Sequence, residues 1–124
     1  MTTQEVPRQE WTEFFDSFSR RHLGWLVSVE VMGPDIGAQA EAREMPLQGI
    51  TAELKPGDES IISIMVGNSA EDHLTHTITG PSRVNVKVSG EGTDEAVEIE
   101  SEDGLTTLVR FRSPISPEMV DELI

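Results

Sequence analysis

The sequence predicts a mainly β domain: a small antiparallel barrel or sandwich of about seven strands, framed by an N-terminal and a C-terminal helix. Apolar and polar residues alternate through most of the segment from residue 23 to residue 112. Turn residues recur about every eight to twelve positions, a rhythm typical of antiparallel β folds. No segment between the predicted strands has the apolar period of a helix. Parallel strands are usually connected by crossover helices, so their absence from the pattern favours an antiparallel sheet. The whole chain, residues 1–124, is therefore expected to form one antiparallel domain.

The N-terminal segment has the apolar spacing of one helix face. Its aromatic residues stand at i, i+3, i+4 and i+7: Trp11, Phe14, Phe15 and Phe18. Pro7 suits the first turn of a helix, and Gly24 suits the position just beyond the last turn. The pattern predicts an amphipathic helix from about Pro7 to Arg21 that packs on the sheet as a lid.

Residues Ala38 to Leu54 read as one long, bent strand. The apolar positions are even up to Ala42, odd at Met45 and Leu47, and even again from Ile50 onward. Two phase changes in a period-two pattern indicate bulges or sharp bends. A strand that turns a corner in this way curls a sheet into a barrel or a two-layer sandwich.

The other strands are predicted over Leu23–Met32, Ile61–Val66, His73–Thr79, Arg83–Val88, Ala96–Ser101 and Leu105–Phe111. Ile61–Val66 is apolar on both faces, which predicts a central strand covered on both sides. The dipeptide Asp103-Gly104 favours a two-residue type I′ hairpin. Ser116 as an N-cap, followed by a proline, predicts a short C-terminal helix from about residue 117 to 123.

The composition is strongly acidic, with 23 acidic against 9 basic residues and a formal net charge of −14. Such a surface repels phosphate backbones and anionic lipids, so we expect neither a nucleic-acid nor a membrane partner. The chain has no cysteine, which excludes disulfides and thiolate metal sites. It also has no long apolar run and no signal-peptide core at its N-terminus, so the expected location is cytoplasmic.

The densest group of candidate metal ligands is Glu71, Asp72, His73 and His76. On a strand, side chains three residues apart point to opposite faces, so one ion cannot readily take both histidines. A zinc-type site needs three or four converging ligands. We therefore predict no metal and no cofactor, and leave open whether these four residues have another role.

Catalytic patterns are absent from the sequence. No serine lies in a G-x-S-x-G elbow, and the chain has three histidines, no cysteine and no tyrosine. Because the usual pairs of nucleophile and base are missing, we expect no enzyme and assign no catalytic or cofactor-binding residue.

The acidic run from Glu91 to Asp103 contains no basic residue. Three interpretations fit it: a solvated face, charge that protects a sheet edge from unwanted pairing, and ion pairs with Arg110 and Arg112 across the next hairpin. A calcium loop would need ligands at alternate positions and a closing carboxylate, which the residues after Asp103 do not supply.

Two segments, WTEFFDSFSRRHLGWLVSVEVMGPDIGAQAEAREMPLQGI and DGLTTLVRFRSP, resemble a family of small acidic bacterial domains of unknown function. The resemblance covers nearly the whole chain and implies a soluble bacterial single-domain protein without implying an activity. The order of helix, strand, bent strand and strand is also similar to that of Sm-like proteins, which form rings on RNA. ITGPSRVNV resembles their second motif, but has Thr79-Gly80 where that motif has an RNA-contacting Arg-Gly pair.

These patterns favour a non-enzymatic binding or assembly module that acts through protein contacts, with a protein partner or a second copy of the chain. An apolar strip in the predicted C-terminal helix would pack on the domain or on a partner. Its members are Met119, Val120, Leu123 and Ile124. The alternatives are a metal- or small-molecule-binding domain and an Sm-like RNA-binding ring.

Overall fold

A computed structural model describes residues 2–56, 59–68, 71, 73–88 and 94–112. A 3₁₀ turn (Arg8–Glu10) runs into helix α1 (Trp11–Arg21). In chain order the strands are β1 (Thr2–Val6), β2 (Leu26–Gly33), β3 (Gly37–Glu53), β4 (Ile61–Gly67), β5 (His73–Thr79), β6 (Pro81–Val88), β7 (Asp94–Ser101) and β8 (Thr106–Arg112). The predicted C-terminal helix and its apolar strip lie outside the described residues.

The strands form one sheet in the order β1-β6-β7-β8-β2-β3-β4-β5, and every neighbouring pair is antiparallel. The mainly β, antiparallel class is confirmed. A closed barrel is not: in the described part of the chain, β1 and β5 are edge strands that do not pair with each other. The sheet nevertheless folds back over itself. Side chains of strands β6 to β8 and of strands β4 and β5 therefore belong to one hydrophobic core.

The sheet bends at β3, as the sequence predicts. The first half of this strand pairs with β2 and the second half with β4. The register with β2 shifts between Ala40 and Ala42 and again between Ala42 and Met45, where Glu44 has a φ of 48°. The register with β4 shifts between Leu47 and Gly49. The last two of these three shifts coincide with the two phase changes of the apolar pattern, so the predicted bulges are confirmed.

Helix α1 packs against β3 and closes one side of the core. Trp11, Phe15 and Phe18 are buried, which confirms the predicted lid. The α-helix begins at Trp11, four residues later than predicted, because the segment after Pro7 adopts a 3₁₀ turn. Gly24, with a φ of 82°, ends the turn that follows the helix, and β2 then begins at Leu26.

Strand β1 was not predicted from the sequence. Its five residues, TTQEV, are mostly polar and show no apolar alternation. It is held by pairing with β6, in which Val6 lies opposite Val84. With β1, the sheet has eight strands instead of the predicted seven.

Strand β4 differs from its prediction in the exposure of its outer face. Ile62, Ile64 and Val66 are buried, but Ile61 and Met65 on the other face are only half-buried. The prediction that both faces are covered is wrong, because α1 lies over β3 and does not cover the outer face of β4.

The turn between β7 and β8 is also different from the prediction. The amide of Ser101 donates to the carbonyl of Leu105 at 3.0 Å, which encloses a loop of three residues. Only Gly104 in this loop has a positive φ, of 88°. A type I′ turn needs positive φ at both central residues, so the predicted two-residue hairpin is wrong.

Candidate functional site

The candidate metal ligands do not converge. His73 and His76 lie on opposite faces of β5, as the strand period requires, with His73 exposed and His76 half-buried. Glu71 is exposed, and Asp72 is outside the described residues. Among the residues that the structure describes, no group of three or more histidine, aspartate or glutamate side chains is placed to hold one ion.

The acidic face of β7 forms ion pairs with the neighbouring strand β6. The Nζ atom of Lys87 lies 3.5 Å from a carboxylate oxygen of Glu98, and Nε of Arg83 lies 3.8 Å from one of Glu100. The acidic face therefore makes cross-strand ion pairs with β6, whereas the prediction named arginines of β8. The register does not place the two predicted arginines opposite these glutamates: Arg110 and Arg112.

Strands β4 and β5 carry a surface of the opposite character. His73 lies at one end of their outward face, and we call the six other side chains of that face the neutral face: Ile61, Ser63, Met65, Thr75, Thr77 and Thr79. In the register, the three residues of β4 lie directly opposite the three of β5. None of the six side chains is charged, although the chain carries a net charge of −14.

The register also shows which backbone groups of β5 point out of the sheet. Gly80 donates to the carbonyl of Ser60 at 3.1 Å, which makes these two residues a hydrogen-bonded pair at the end of the β4–β5 ladder. Hydrogen-bonded and non-bonded pairs alternate along an antiparallel ladder. The backbone groups of His76 and Ile78 therefore face β4, whereas those of Thr75 and Thr77 face the open edge.

An independent contact supports this assignment. Ile64 lies opposite His76 on one side and Ile50 on the other. If Ile64 bonds to β5, the backbone groups of Ile50 must point away from β4. They do so: the hydroxyl of Ser19 in α1 accepts from the Ile50 amide at 2.8 Å and donates to the Ile50 carbonyl at 3.1 Å.

The two edges of the sheet differ in charge. β1 at one edge contains Glu5, whose carboxylate lies 3.8 Å from Nε of Arg83. β5 at the other edge reads HLTHTIT and has no acidic or basic residue apart from its histidines. Proteins commonly protect exposed edges with charge, proline or bulges, and β5 has none of these.

A groove of about 450 Å³ lies between α1 and the β1–β6 corner. Val6, Phe14 and Val86 contribute apolar surface to it, and Glu10 and Glu13 are among its acidic lining residues. This groove was not predicted from the sequence, because β1 forms one of its walls and was itself not predicted.

A buried aromatic cluster around His22 was also not predicted from the sequence. The imidazole is 4% exposed and stacks on Phe18 with ring centres 4.2 Å apart. The ring centres of Trp25 and Phe111 lie 4.6 and 4.8 Å from the centre of the imidazole. Its Nδ1 atom lies 2.9 Å from the carbonyl of Phe18. The cluster joins the end of α1 to β8, and we assign it a structural role.

Residues 2–120 match the family of unknown function DUF5335. An uncharacterized protein of Aquifex aeolicus (strain VF5) is 26% identical over 115 residues, which cover 93% of this chain and 96% of that protein. No solved structure matches the chain. The described part of the chain contains no helix that is both long and apolar enough to cross a bilayer.

The predicted resemblance to a bacterial family of unknown function is confirmed by these matches. The motif compared with Sm-like proteins lies at the corner between β5 and β6, where Gly80 has a φ of 63°. The order of elements differs from an Sm-like one, since β1 precedes the helix and the sheet has eight strands. The matched range covers all the described strands and the helix, and the chain therefore belongs to the family of unknown function DUF5335.

Proposed function

We propose that the protein is a non-enzymatic binding or assembly module that acts through protein contacts, and that the neutral face and the open edge of β5 are its contact surface. The observation that carries the proposal is the lack of charge on this edge in a chain of net charge −14. An uncharged strand with outward-pointing backbone groups is suited to accept another strand.

The chemistry of the edge favours a polypeptide over other partners. Thr75 and Thr77 offer alternating amide and carbonyl groups, which an extended chain satisfies completely. A nucleic acid would need cations to neutralise its phosphates, and β5 supplies no lysine or arginine. The half-buried side chains of Ile61 and Met65, next to the edge, add apolar surface to such a contact.

Two features support a module without catalytic activity. The three histidines do not come together: His22 is enclosed by aromatic rings, and His73 and His76 lie on opposite faces of β5. The carboxylates of Glu98 and Glu100 form ion pairs with side chains of the neighbouring strand β6.

Site-specific photocrosslinking tests the proposal. A photoreactive amino acid at Thr77, on the open edge, is expected to give covalent protein adducts in cells that produce the chain. The matched control places the same group at Thr12, an exposed position of α1 between acidic residues. Adducts at Thr77 that are absent at Thr12 support a protein-contact surface at β5. Equal yields at the two positions would contradict it.

The groove between α1 and β1 favours a second candidate function, the binding of a small molecule. Its volume of about 450 Å³ lies in the range of ligand sites, and its apolar surface with carboxylates suits a cationic amphiphile. A ligand that binds only the folded state raises the melting temperature. A thermal-shift screen of cationic amphiphiles tests this candidate, with Glu13→Gln as the variant that should weaken any hit.

A further inference from the structure

We propose that the partner of β5 is a second copy of this chain, and that two β5 strands pair antiparallel across a two-fold axis centred at His76. This inference rests on the proposed protein-contact function and names its partner. In the resulting register, Thr75 of each copy lies opposite Thr77 of the other. The sheets of both copies then join into one.

The backbone of β5 permits this pairing. For a strand to pair with its own copy about a central residue, the neighbours on both sides of that residue must direct their amides and carbonyls outward. Thr75 and Thr77 do so by the alternation fixed at Gly80 and Ser60. Within the described residues, no strand pairs with this side of β5.

The side chains are also compatible with their own copies. On the outer face, threonine lies opposite threonine, a favourable cross-strand pair. On the inner face, Leu74 of one copy lies opposite Ile78 of the other, so apolar groups meet, and between these pairs the half-buried His76 lies opposite its own counterpart at the axis. An interface around a two-fold axis must be self-complementary, and an uncharged strand with this symmetric pattern satisfies that requirement.

Charge decides between β5 and other surfaces. Two copies, each with a net charge of −14, repel one another, so a stable contact needs a surface where few carboxylates approach. The edge strand β1 carries Glu5, and the face of β7 carries Glu98 and Glu100. Of the two edge strands in the described part of the chain, β5 is the one without a carboxylate, and Asp103 of the β7–β8 turn lines the small cavity beside it.

The mass of the purified chain in solution tests the pairing. We expect twice the chain mass of 13.7 kDa for the natural sequence. Thr77→Lys adds a charge at the edge and should halve the measured mass. The matched control Thr12→Lys adds the same charge on α1 and should leave the mass unchanged. Thr77→Pro removes an amide that bonds to no strand in the single copy, so it should also give a folded single chain.

Each of four results would overturn the pairing. A natural chain that has the mass of one copy at every concentration excludes it, as does Thr77→Lys that keeps the doubled mass. Photocrosslinking from Thr77 to a different protein, combined with a single-copy mass, overturns the pairing but leaves the protein-contact function standing. The loss of adducts at Thr77 together with a single-copy mass rejects both.

Discussion

The hydroxyl of Ser19 bonds both backbone groups of Ile50, accepting from the amide at 2.8 Å and donating to the carbonyl at 3.1 Å. Strand β2 begins at Leu26, opposite Pro46, so none of the described strands pairs with the second half of β3 on that side. One helix side chain therefore satisfies the backbone where the sheet has lost a neighbour. This contact fixes α1 on β3 and protects that stretch of edge, whereas no described strand pairs with the outer side of β5.

The first prediction concerns this contact. Ser19→Ala leaves the amide and carbonyl of Ile50 without their partner and should lower the free energy of unfolding by about 1–3 kcal/mol. The amide of Ile50 should also exchange with solvent faster. Urea unfolding and hydrogen exchange measure the two effects, and Thr12→Ala on the exposed side of α1 is the control. Equal stability of Ser19→Ala and the control would contradict the assigned role.

The second prediction concerns Ser60, a buried residue at the turn before β4. Its hydroxyl accepts from Nη2 of Arg8 at 2.6 Å and from the Lys55 amide at 2.9 Å, and donates to the Lys55 carbonyl at 3.0 Å. Ser60→Ala should cost about 1–3 kcal/mol of unfolding free energy, because buried polar groups lose their partners. In a double-mutant cycle with Arg8→Ala, the two losses should be less than additive. Strict additivity would show that the contact contributes nothing.

The third prediction distinguishes the two faces of β4. Ile64→Thr removes apolar volume from the core and should cost about 2–4 kcal/mol. Met65→Thr, on the neutral face, should change the free energy of unfolding by less than about 1 kcal/mol. Urea unfolding of the two variants makes the comparison. Similar large losses in both would indicate that the outer face of β4 is covered.

The fourth prediction is a pH dependence at the β7–β8 turn. The Ser101 hydroxyl and then the Leu105 amide hold the pKa of Asp103 below its ordinary value of 3.8. Because the pKa is lower in the folded state, the carboxylate stabilises the turn above its unfolded pKa, and this stabilisation disappears as the pH falls through the folded pKa. The difference in unfolding free energy between the natural chain and Asp103→Asn should shrink from about pH 5 to pH 2. NMR titration of the Asp103 carboxyl group measures the pKa directly, and a value at or above 3.8 would contradict the contact.

Much of the fold could be predicted because local patterns and tertiary structure agree. The bend of β3 was visible as phase changes at Ala42 and Leu47, because one buried face imposes its period on the sequence. β5 was predicted with its observed ends. β1 could not be predicted, because pairing with β6 and not its own apolar pattern holds it in the sheet.

The candidate site was harder to predict than the fold. The apolar residues on both faces of β4 suggested complete burial, but whether a layer covers Ile61 and Met65 depends on where the helix packs. The open edge of β5 depends on strand order, which hydrophobic periodicity does not contain. The absence of charge from HLTHTIT was the one signal in the sequence that could have indicated it.

Hydrogen exchange at individual amides of β5 tests the central claim most directly. If the edge is a contact surface between copies, protection of the Thr75 and Thr77 amides should increase with protein concentration. The amide of His76, which faces β4, should be protected at every concentration and serves as the internal control. Thr75 and Thr77 that exchange as fast as exposed amides at every concentration, while His76 stays protected, would contradict pairing between copies at this edge.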